Sequence, residues 1–328
     1  MNVNRKISKT EIESRISQLV KQYDRWTFDI PLPYGIWTAG NEGIPHTRLK
    51  RVMQVLCDIL DKPLSACRIL DLGCLDGIFS IECGIQGAEV TGIEILEGNI
   101  KKALLAKDAI GLDNVIFEHD DVRNISLETH GKFDAIICSG ILYHFSSPDV
   151  FFFVEKLYEM AGKVVIFDTQ ISLNPSTTIS HKGREYTGSI KETDPIKQLR
   201  GREEWKRNWA RDDGDMSSRF VFTRPSLLNF LSHVGFSSIY ECFNPPHLNF
   251  GKPGIESRAR CTFVAIKGKQ CKLETSPSAN NLIEDWPEDS LIYAYEPAYM
   301  RNIRKLTPPV FWKLLRRIYW YVSSAYRK

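Results

Sequence analysis

Short apolar segments alternate with amphipathic segments along the chain from about residue 50 to residue 170. The apolar segments are typical of buried strands, and the spacing of apolar residues between them is typical of helices. One strand and its helix together occupy roughly 25 residues, which is enough for the right-handed crossover between two parallel strands. The alternation therefore predicts an α/β fold with a mostly parallel sheet and helices on both faces.

The bounds of the predicted elements follow from apolar spacing, prolines and glycines. Helices are expected at residues 49–60, 97–112, 148–162 and 225–235. Strands are expected at residues 68–72, 88–94, 114–117, 133–138, 163–168, 239–242 and 261–267. The alternation breaks at about residues 169–222, and we interpret that segment as an insertion on the substrate side.

Composition and charge exclude several classes of protein. The chain has 328 residues, with 43 Lys and Arg against 40 Asp and Glu, so its charge of +3 does not by itself indicate a nucleic-acid partner. Its eight cysteines form neither a Cys-x-x-Cys pair nor a Cys/His group, so no metal site is predicted. The amino terminus lacks an apolar signal core, and no apolar run approaches the roughly 20 residues of a membrane span. We therefore expect a cytoplasmic protein.

The most specific motif is the loop after the first predicted strand, residues 71–77, Asp-Leu-Gly-Cys-Leu-Asp-Gly. Glycines at positions 73 and 77 allow the backbone to approach a ligand closely. A dinucleotide-binding loop would show Gly-x-Gly-x-x-Gly, which this segment does not. The acid two residues before Gly73 instead resembles the start of the first motif of class I S-adenosylmethionine-dependent methyltransferases, acid-x-Gly-x-Gly-x-Gly. Leu75 takes the place of the middle glycine.

Three further signals follow the next three predicted strands in the order found in this family. Glu94 lies 23 residues after Asp71, where an acid can accept hydrogen bonds from both ribose hydroxyls. Asp121 follows the third strand and resembles the carboxylate that binds the adenine amino group, and Asp120 is less well aligned. Residues 139–144 follow the fourth strand, at the rim where substrate meets cofactor. The resemblance implies S-adenosylmethionine as the cofactor, bound by Asp71, Gly73, Leu75, Gly77, Glu94, Ile95, Asp121, Val122 and Ser139.

The same resemblance implies a complete fold and a division of the chain. The fold is the Rossmann-like class I methyltransferase fold, with a seven-stranded sheet whose last strand is antiparallel. We expect an N-terminal lid or cap at residues 1–48 and a methyltransferase domain at residues 49–270. Residues 271–328 would then form a C-terminal extension.

A narrower resemblance comes from residues 140–144, Gly-Ile-Leu-Tyr-His, followed by Ser147 and Pro148. They resemble a run in the transferases that modify the tRNA wobble uridine at its 5-hydroxyl. Members that transfer a carboxymethyl group hold the extra carboxylate of their cofactor with a lysine, but residues 26–30 in that place contain no Lys or Arg. A carboxylate there would lose hydration without compensation, so we expect ordinary S-adenosylmethionine and simple methyl transfer.

The acceptor is expected to be a small molecule or a glycan, and the reaction an O-methylation. The alternative acceptor is tRNA, which the basic end of the chain favours and the nearly charge-neutral residues 182–219 disfavour. His144 is the candidate general base for a hydroxyl acceptor, and Tyr143 is expected to orient the cofactor or the acceptor. The alternative is that His144 only packs at the rim. Weaker catalytic candidates are Asp168 and His181. His46 lies in a turn that is expected to be either part of a lid or a plain surface turn.

The C-terminal residues have a distinct pattern of charge and hydrophobicity. Eight Lys or Arg and no acid follow Glu296, and residues 310–322 place apolar and basic side chains on different faces of a helix. Such a basic amphipathic helix is typical of a helix at an anionic membrane surface. The alternative is a helix docked on the domain or on a second subunit. A third possible function is therefore a nonenzymatic cofactor-binding module that its tail recruits to a membrane.

Overall fold

The structure, a computed structural model, describes residues 7–39, 47–192, 218–242 and 259–268. The strands are, in chain order, β1 (Pro31–Leu32), β2 (Ile36–Trp37), β3 (Arg68–Leu72), β4 (Glu89–Glu94), β5 (Val115–His119), β6 (Phe133–Ser139), β7 (Ala161–Gln170), β8 (Thr177–His181), β9 (Arg184–Glu192), β10 (Ser218–Phe222), β11 (Ser238–Glu241) and β12 (Arg260–Ile266). The helices are α1 (Lys9–Tyr23), α2 (Thr47–Ile59), α3 (Ile78–Ile85), α4 (Glu97–Ile110), α5 (Leu127–His130), α6 (Asp149–Met160) and α7 (Arg224–Val234). In these ranges, every helix is too short or too polar to cross a bilayer.

Seven strands form the central sheet, in the order β11-β12-β7-β6-β3-β4-β5. Strands β3, β4, β5, β6 and β7 pair with one another in parallel. β12 is antiparallel to β7 on one side and to β11 on the other. The Rossmann-like methyltransferase fold expected from the sequence is therefore confirmed, including the antiparallel last strand.

The sheet separates two hydrophobic cores, because alternate side chains of a strand point to opposite faces. In β3, Ile69 belongs to the core beneath α2 and α3, whereas Leu70 and Leu72 belong to the core beneath α6 and α7. In β6, Ile137 belongs to the core beneath α2 and α3, and Ile136 belongs to the core beneath α6 and α7. Strands buried on both faces read as continuous apolar runs, which is why the sequence predicts them well.

Helix ends agree with the sequence where a capping residue is present. α7 begins after Thr223, whose side chain accepts the Ser226 amide, and ends at Gly235 with φ +120. The predicted end of α6 at Gly162 is wrong. α6 ends at Met160, and β7 begins directly at Ala161. The chain passes from helix to strand there without a left-handed residue, so glycine at position 162 is not a helix cap.

The predicted insertion contains a second sheet that the sequence analysis missed. β8, β9 and β10 form a three-stranded antiparallel sheet in the order β10-β9-β8. The turn between β8 and β9 consists of Lys182 and Gly183, with φ +49 and φ +74. Two residues with positive φ are the signature of a tight hairpin turn, so this Lys-Gly pair was the missed signal.

The N-terminal segment is packed into the same core as the sheet. Trp26, Phe28 and Ile30 are buried against the α2 side. The buried Asp76 holds this segment, because its Oδ2 accepts the Thr27 amide at 2.5 Å and the Phe28 amide at 3.0 Å. Burial raises the pKa of Asp76 to about 6, against the opposing effect of these two amides. The segment is thereby tied directly to the loop after β3.

Removing this carboxylate should destabilise the fold. We expect Asp76→Ala to lower the free energy of unfolding by about 2–4 kcal/mol, since two buried amides lose their acceptor. Asp76→Asn keeps one acceptor oxygen and should lose less than half as much. Urea denaturation near neutral pH measures both, and an alanine variant as stable as the wild type would contradict the assignment.

Candidate functional site

The candidate site lies at the carboxyl ends of the parallel strands. β3 pairs with β4 on one side and with β6 on the other, so the strand order reverses beside it. Open α/β sheets bind ligands in the crevice outside such a reversal. Leu72 pairs in register with Ile93 of β4 and with Cys138 of β6. Each of these three residues directly precedes a predicted site residue, namely Gly73, Glu94 and Ser139.

The loop after β3 uses left-handed backbone at three positions. Gly73, Leu75 and Gly77 have φ values of +61, +54 and +88. Leu75 therefore adopts a conformation that favours glycine, although it replaces the middle glycine of the family motif. Keeping a leucine in this conformation costs of order 1 kcal/mol or more. The loop retains its backbone path without the middle glycine.

The two glycines of this loop are required for different reasons. A Cβ on Gly73 would lie 2.7 Å from Ile141 Cγ1 and still closer to Ile141 Cδ1, in the segment that follows β6. A Cβ on Gly77 would lie 2.7 Å from the Phe117 ring of β5. Gly73 thus lets the loops after β3 and β6 approach each other, while Gly77 allows α3 to begin close to β5.

Asp71 stabilises the loop through contacts between the end of β3 and α3. Its Oδ2 accepts the Ser80 amide at 3.1 Å and the Ser80 hydroxyl at 2.6 Å, which joins the end of β3 to α3. The side chain is almost fully buried, and burial raises its pKa to about 7. The structure therefore places Asp71 as a support of the loop, with its carboxylate directed to α3.

Glu94 ends β4 and contacts the glycine loop directly. Its Oε2 accepts the Leu75 amide at 2.9 Å, and its Oε1 accepts the Leu96 amide at 2.9 Å. Burial raises its pKa to about 7, against the effect of these amides and of Asn99. The carboxylate is thus held at the strand end by donors from two segments, at the position predicted for a ribose-binding acid.

The predicted adenine-binding residues lie beside this position. Ile95 is 43% exposed, an open apolar surface next to Glu94. Asp121 Oδ1 accepts the Arg123 amide at 2.8 Å, and its Oδ2 pairs with the Arg123 guanidinium. Val122 is half-buried against the α6 side of the core. Asp120 is engaged locally, accepting Asn124 Nδ2 at 2.7 Å.

Ser139, Tyr143 and His144 occupy the rim after β6. Ser139 ends β6, and the Tyr143 and His144 rings lie 4.5 Å apart. Burial, followed by the charges of Arg219 and Arg260, lowers the pKa of His144 to about 4. Burial and the neighbouring guanidinium charges thus disfavour protonation of His144, and its role as a general base stays a prediction.

Of the two weaker catalytic candidates, one lies at the site and the other does not. The first is contacted by arginines that no sequence pattern indicated. Asp168 lies at the rim, where its Oδ1 accepts Arg260 Nε at 2.6 Å and its Oδ2 accepts the Thr262 hydroxyl at 2.8 Å. His181 lies elsewhere, paired at 2.9 Å with Glu155 of α6. The candidate His46 and the basic tail fall outside the described residues. The arginines carried no sequence signal because they come from separate elements.

Comparison with known proteins identifies related sequences and folds. The family described as "Methyltransferase domain" matches residues 45–241. Ubiquinone biosynthesis O-methyltransferase of Psychrobacter cryohalolentis is 32% identical over 127 residues, covering 38% of this chain and 48% of the relative. The enzyme of the same name from Bordetella parapertussis is 32% identical over 124 residues, covering 38% of this chain and 51% of the relative. The chain thus spans about half the length of these curated relatives.

Among solved structures, the N-terminal domain of EvdMO1, determined in the presence of SAH and D-fucose, has a TM-score of 0.58 at 21% identity. The match covers 80% of this chain and 98% of that domain, and it shows a shared fold. The relatives named here are ubiquinone O-methyltransferases, so they do not support the narrower resemblance to tRNA-modifying enzymes.

Gly73 provides a test of the contact between the loops after β3 and β6. We expect Gly73→Ala to be clearly more destabilising than Gly111→Ala, a matched control with φ +86 and no neighbour within 4 Å. The control should lose only the backbone strain, about 1 kcal/mol. Adding Ile141→Ala to Gly73→Ala should recover stability relative to Gly73→Ala alone. Urea denaturation measures all three, and equal losses at the two glycines would contradict the close approach.

Proposed function

Because the chain belongs to the methyltransferase-domain family, we propose that it transfers a methyl group from S-adenosylmethionine to an oxygen of a small-molecule acceptor. The observation that carries this proposal is the set of predicted residues at the ends of β3, β4, β5 and β6. These strand ends lie side by side at the reversal of strand order, where open α/β sheets bind ligands. The O-methyltransferase names of the relatives support oxygen as the acceptor atom.

The residues in the crevice fit this cofactor. Glu94 presents a carboxylate fixed at the end of β4, suited to the two ribose hydroxyls. The exposed Ile95 offers an apolar surface for the adenine ring, with Asp121 and Val122 at its other edge. The left-handed backbone of Gly73 and Leu75 keeps the loop close to the strand ends, where the methionine part would lie. We assign Ser139 to the same pocket because it ends β6.

The protein's contribution to methyl transfer is alignment and exclusion of water. When bound, S-adenosylmethionine would supply a sulfonium-activated methyl group to the acceptor oxygen, with S-adenosylhomocysteine as the leaving group. Tyr143 and His144 line the rim beside that position, where they can orient an acceptor hydroxyl. His144 is unprotonated at neutral pH and can accept the hydroxyl proton, although its pKa of about 4 makes it a weak base.

We also propose the domain division expected from the sequence. Residues 1–48 would cover the site as a lid, since Thr27 and Phe28 are bound to Asp76 in the glycine loop. Residues 49–270 would form the methyltransferase domain, with β8, β9 and β10 as its substrate-side insertion. Residues 271–328 lie outside the described residues, and their contact with a membrane or a second subunit stays a prediction.

Transfer of label from the cofactor tests the proposed reaction. The protein is incubated with methyl-labelled S-adenosylmethionine and a cell extract separated into small molecules, glycans and RNA. Label in the small-molecule fraction, found there as a methyl ether, supports the proposal, and label in the glycan fraction would show a glycan acceptor instead. Label in RNA would favour the tRNA alternative, and cofactor binding without transfer to any fraction would favour the nonenzymatic module.

Glu94 gives a separate test of the cofactor site. We expect Glu94→Ala to weaken S-adenosylhomocysteine binding by about 1.5–3 kcal/mol, the usual value for hydrogen bonds to a charged group. The ribose hydroxyls donate to the ionised carboxylate, whose pKa is about 7 in the free protein. Affinity should therefore rise with pH from about 6 to about 8, as the proton is lost before binding.

Glu94→Gln is the matched control for this pH dependence. It keeps the shape of the side chain but does not titrate, so its affinity should change less over the same range of pH. Calorimetry on the three proteins measures both effects. A wild-type affinity in Glu94→Ala, or the same pH profile in Glu94→Gln, would refute the assignment.

A further inference from the structure

Three arginines from separate elements meet at the acceptor side of the site. Arg48 lies in α2, Arg219 in β10 and Arg260 in β12. Arg48 and Arg260 pair with Asp168 at the carboxyl end of β7, and the charges of Arg219 and Arg260 act on His144 in the turn after β6. We call these three residues the arginine cluster. β10 is held against that turn by a hydrogen bond from its Phe220 amide to a backbone carbonyl, at 2.9 Å.

Asp168 is already engaged by several donors within this cluster. Its Oδ1 accepts Arg260 Nε at 2.6 Å and lies 4.0 Å from Arg48 Nη1. Its Oδ2 accepts the Thr262 hydroxyl at 2.8 Å. Arg260 also reaches Tyr143, with its Nη1 at 3.5 Å from the phenol oxygen. Arg260 thus extends from a buried carboxylate to the rim where an acceptor would bind.

The pKa values of two neighbouring groups respond to the charges of the arginine cluster. Burial lowers the pKa of Arg48, and the charge of Arg260 lowers it further by more than Asp168 raises it. Burial also lowers the pKa of His144, followed by the charges of Arg219 and Arg260. Asp168 and Tyr143 act in the opposite direction on Arg48, and Asp168 pairs with Arg260, so three guanidinium groups share this region with one carboxylate.

Three guanidinium groups beside a single carboxylate suit the binding of an oxyanion. Guanidinium groups present several donors in a plane and bind carboxylate and phosphate through paired hydrogen bonds. The Arg260 side chain is 16% exposed and that of Arg48 is 27% exposed, so both remain accessible to a ligand. Arg219 is only 4% exposed, which favours a compact anion over a polymer backbone.

Building on the proposed methyl transfer, we infer that the acceptor is a small organic acid whose carboxylate or phosphate group binds between Arg219 and Arg260, beside His144. The anion would lie on the β7–β12 side of the crevice, away from Glu94 on the β4 side. Charge recognition at this point would place the methyl-accepting oxygen of the same molecule near Tyr143. Acids would then be selected over neutral molecules of the same shape.

Binding of simple anions to the S-adenosylhomocysteine complex tests this inference. Benzoate and phenyl phosphate are titrated by calorimetry, with benzamide as the neutral match for benzoate. At least one of the two acids should bind measurably and benzamide should not. This comparison uses only the wild-type protein, so it does not depend on the folding of any variant.

Variants of Arg219 show where the anion binds. Arg219→Gln should weaken binding of the acid by about tenfold or more, the loss expected for a hydrogen bond between charged groups. Arg219→Lys should keep part of the affinity. Arg68→Gln is the matched control, because Arg68 pairs with Glu89 at the opposite end of the sheet, and it should bind the acid as the wild type does.

The affinity for S-adenosylhomocysteine separates an acceptor site from a cofactor site. It should be unchanged in Arg219→Gln, and a comparable tenfold loss there would assign the arginines to the cofactor's own carboxylate and overturn the inference. Equal binding of benzamide, no binding of either acid, or binding only of a short oligonucleotide would also overturn it. A wild-type protein that binds no S-adenosylhomocysteine would instead refute the proposed function.

Discussion

The loop between β3 and α3 is held by three buried carboxylates, and the geometry of the site depends on them. Asp71 joins the loop to α3, Asp76 joins it to the N-terminal segment, and Glu94 joins it to the end of β4. Each carboxylate accepts backbone amides, which offset part of the cost of burying a charge. Burial still raises all three pKa values, because the surroundings disfavour the charged form of each carboxylate.

The two sides of the crevice differ in charge because they are built from different strands. Glu94 ends β4, at the position proposed for the ribose hydroxyls, while Asp71 of β3 is buried with its carboxylate directed to α3. Arg260 lies on β12 and pairs with Asp168, and Arg219 lies on β10, near His144. Strand order alone separates these groups, since β6 and β7 stand between β3 and β12. An anionic acceptor and a cationic methyl donor would therefore approach one another from opposite sides of the sheet reversal.

Several local features were predictable because they depend on residues close in sequence. The salt bridge of Glu97 with Lys101, at 2.8 Å, follows from their spacing of one helical turn. The end of α7 at Gly235 follows from the preference of glycine for left-handed backbone. The hairpin at Lys182 and Gly183 was equally local, but its two-residue turn went unrecognised within an irregular segment. The end of α6 was misplaced because Gly162 was taken as a cap.

By itself, the sequence determined the seven strands of the central sheet, four of the helices, the buried faces of the sheet and the position of the glycine loop. Those features follow from apolar periodicity and from motifs that span a few residues. Only the tertiary structure decided which charges surround His144. Arg219 and Arg260 lie 75 and 116 residues away along the chain, and only folding brings their charges near its ring. The pKa of a side chain depends on burial and on neighbours in space, which is why its chemistry could not be read from its residue type.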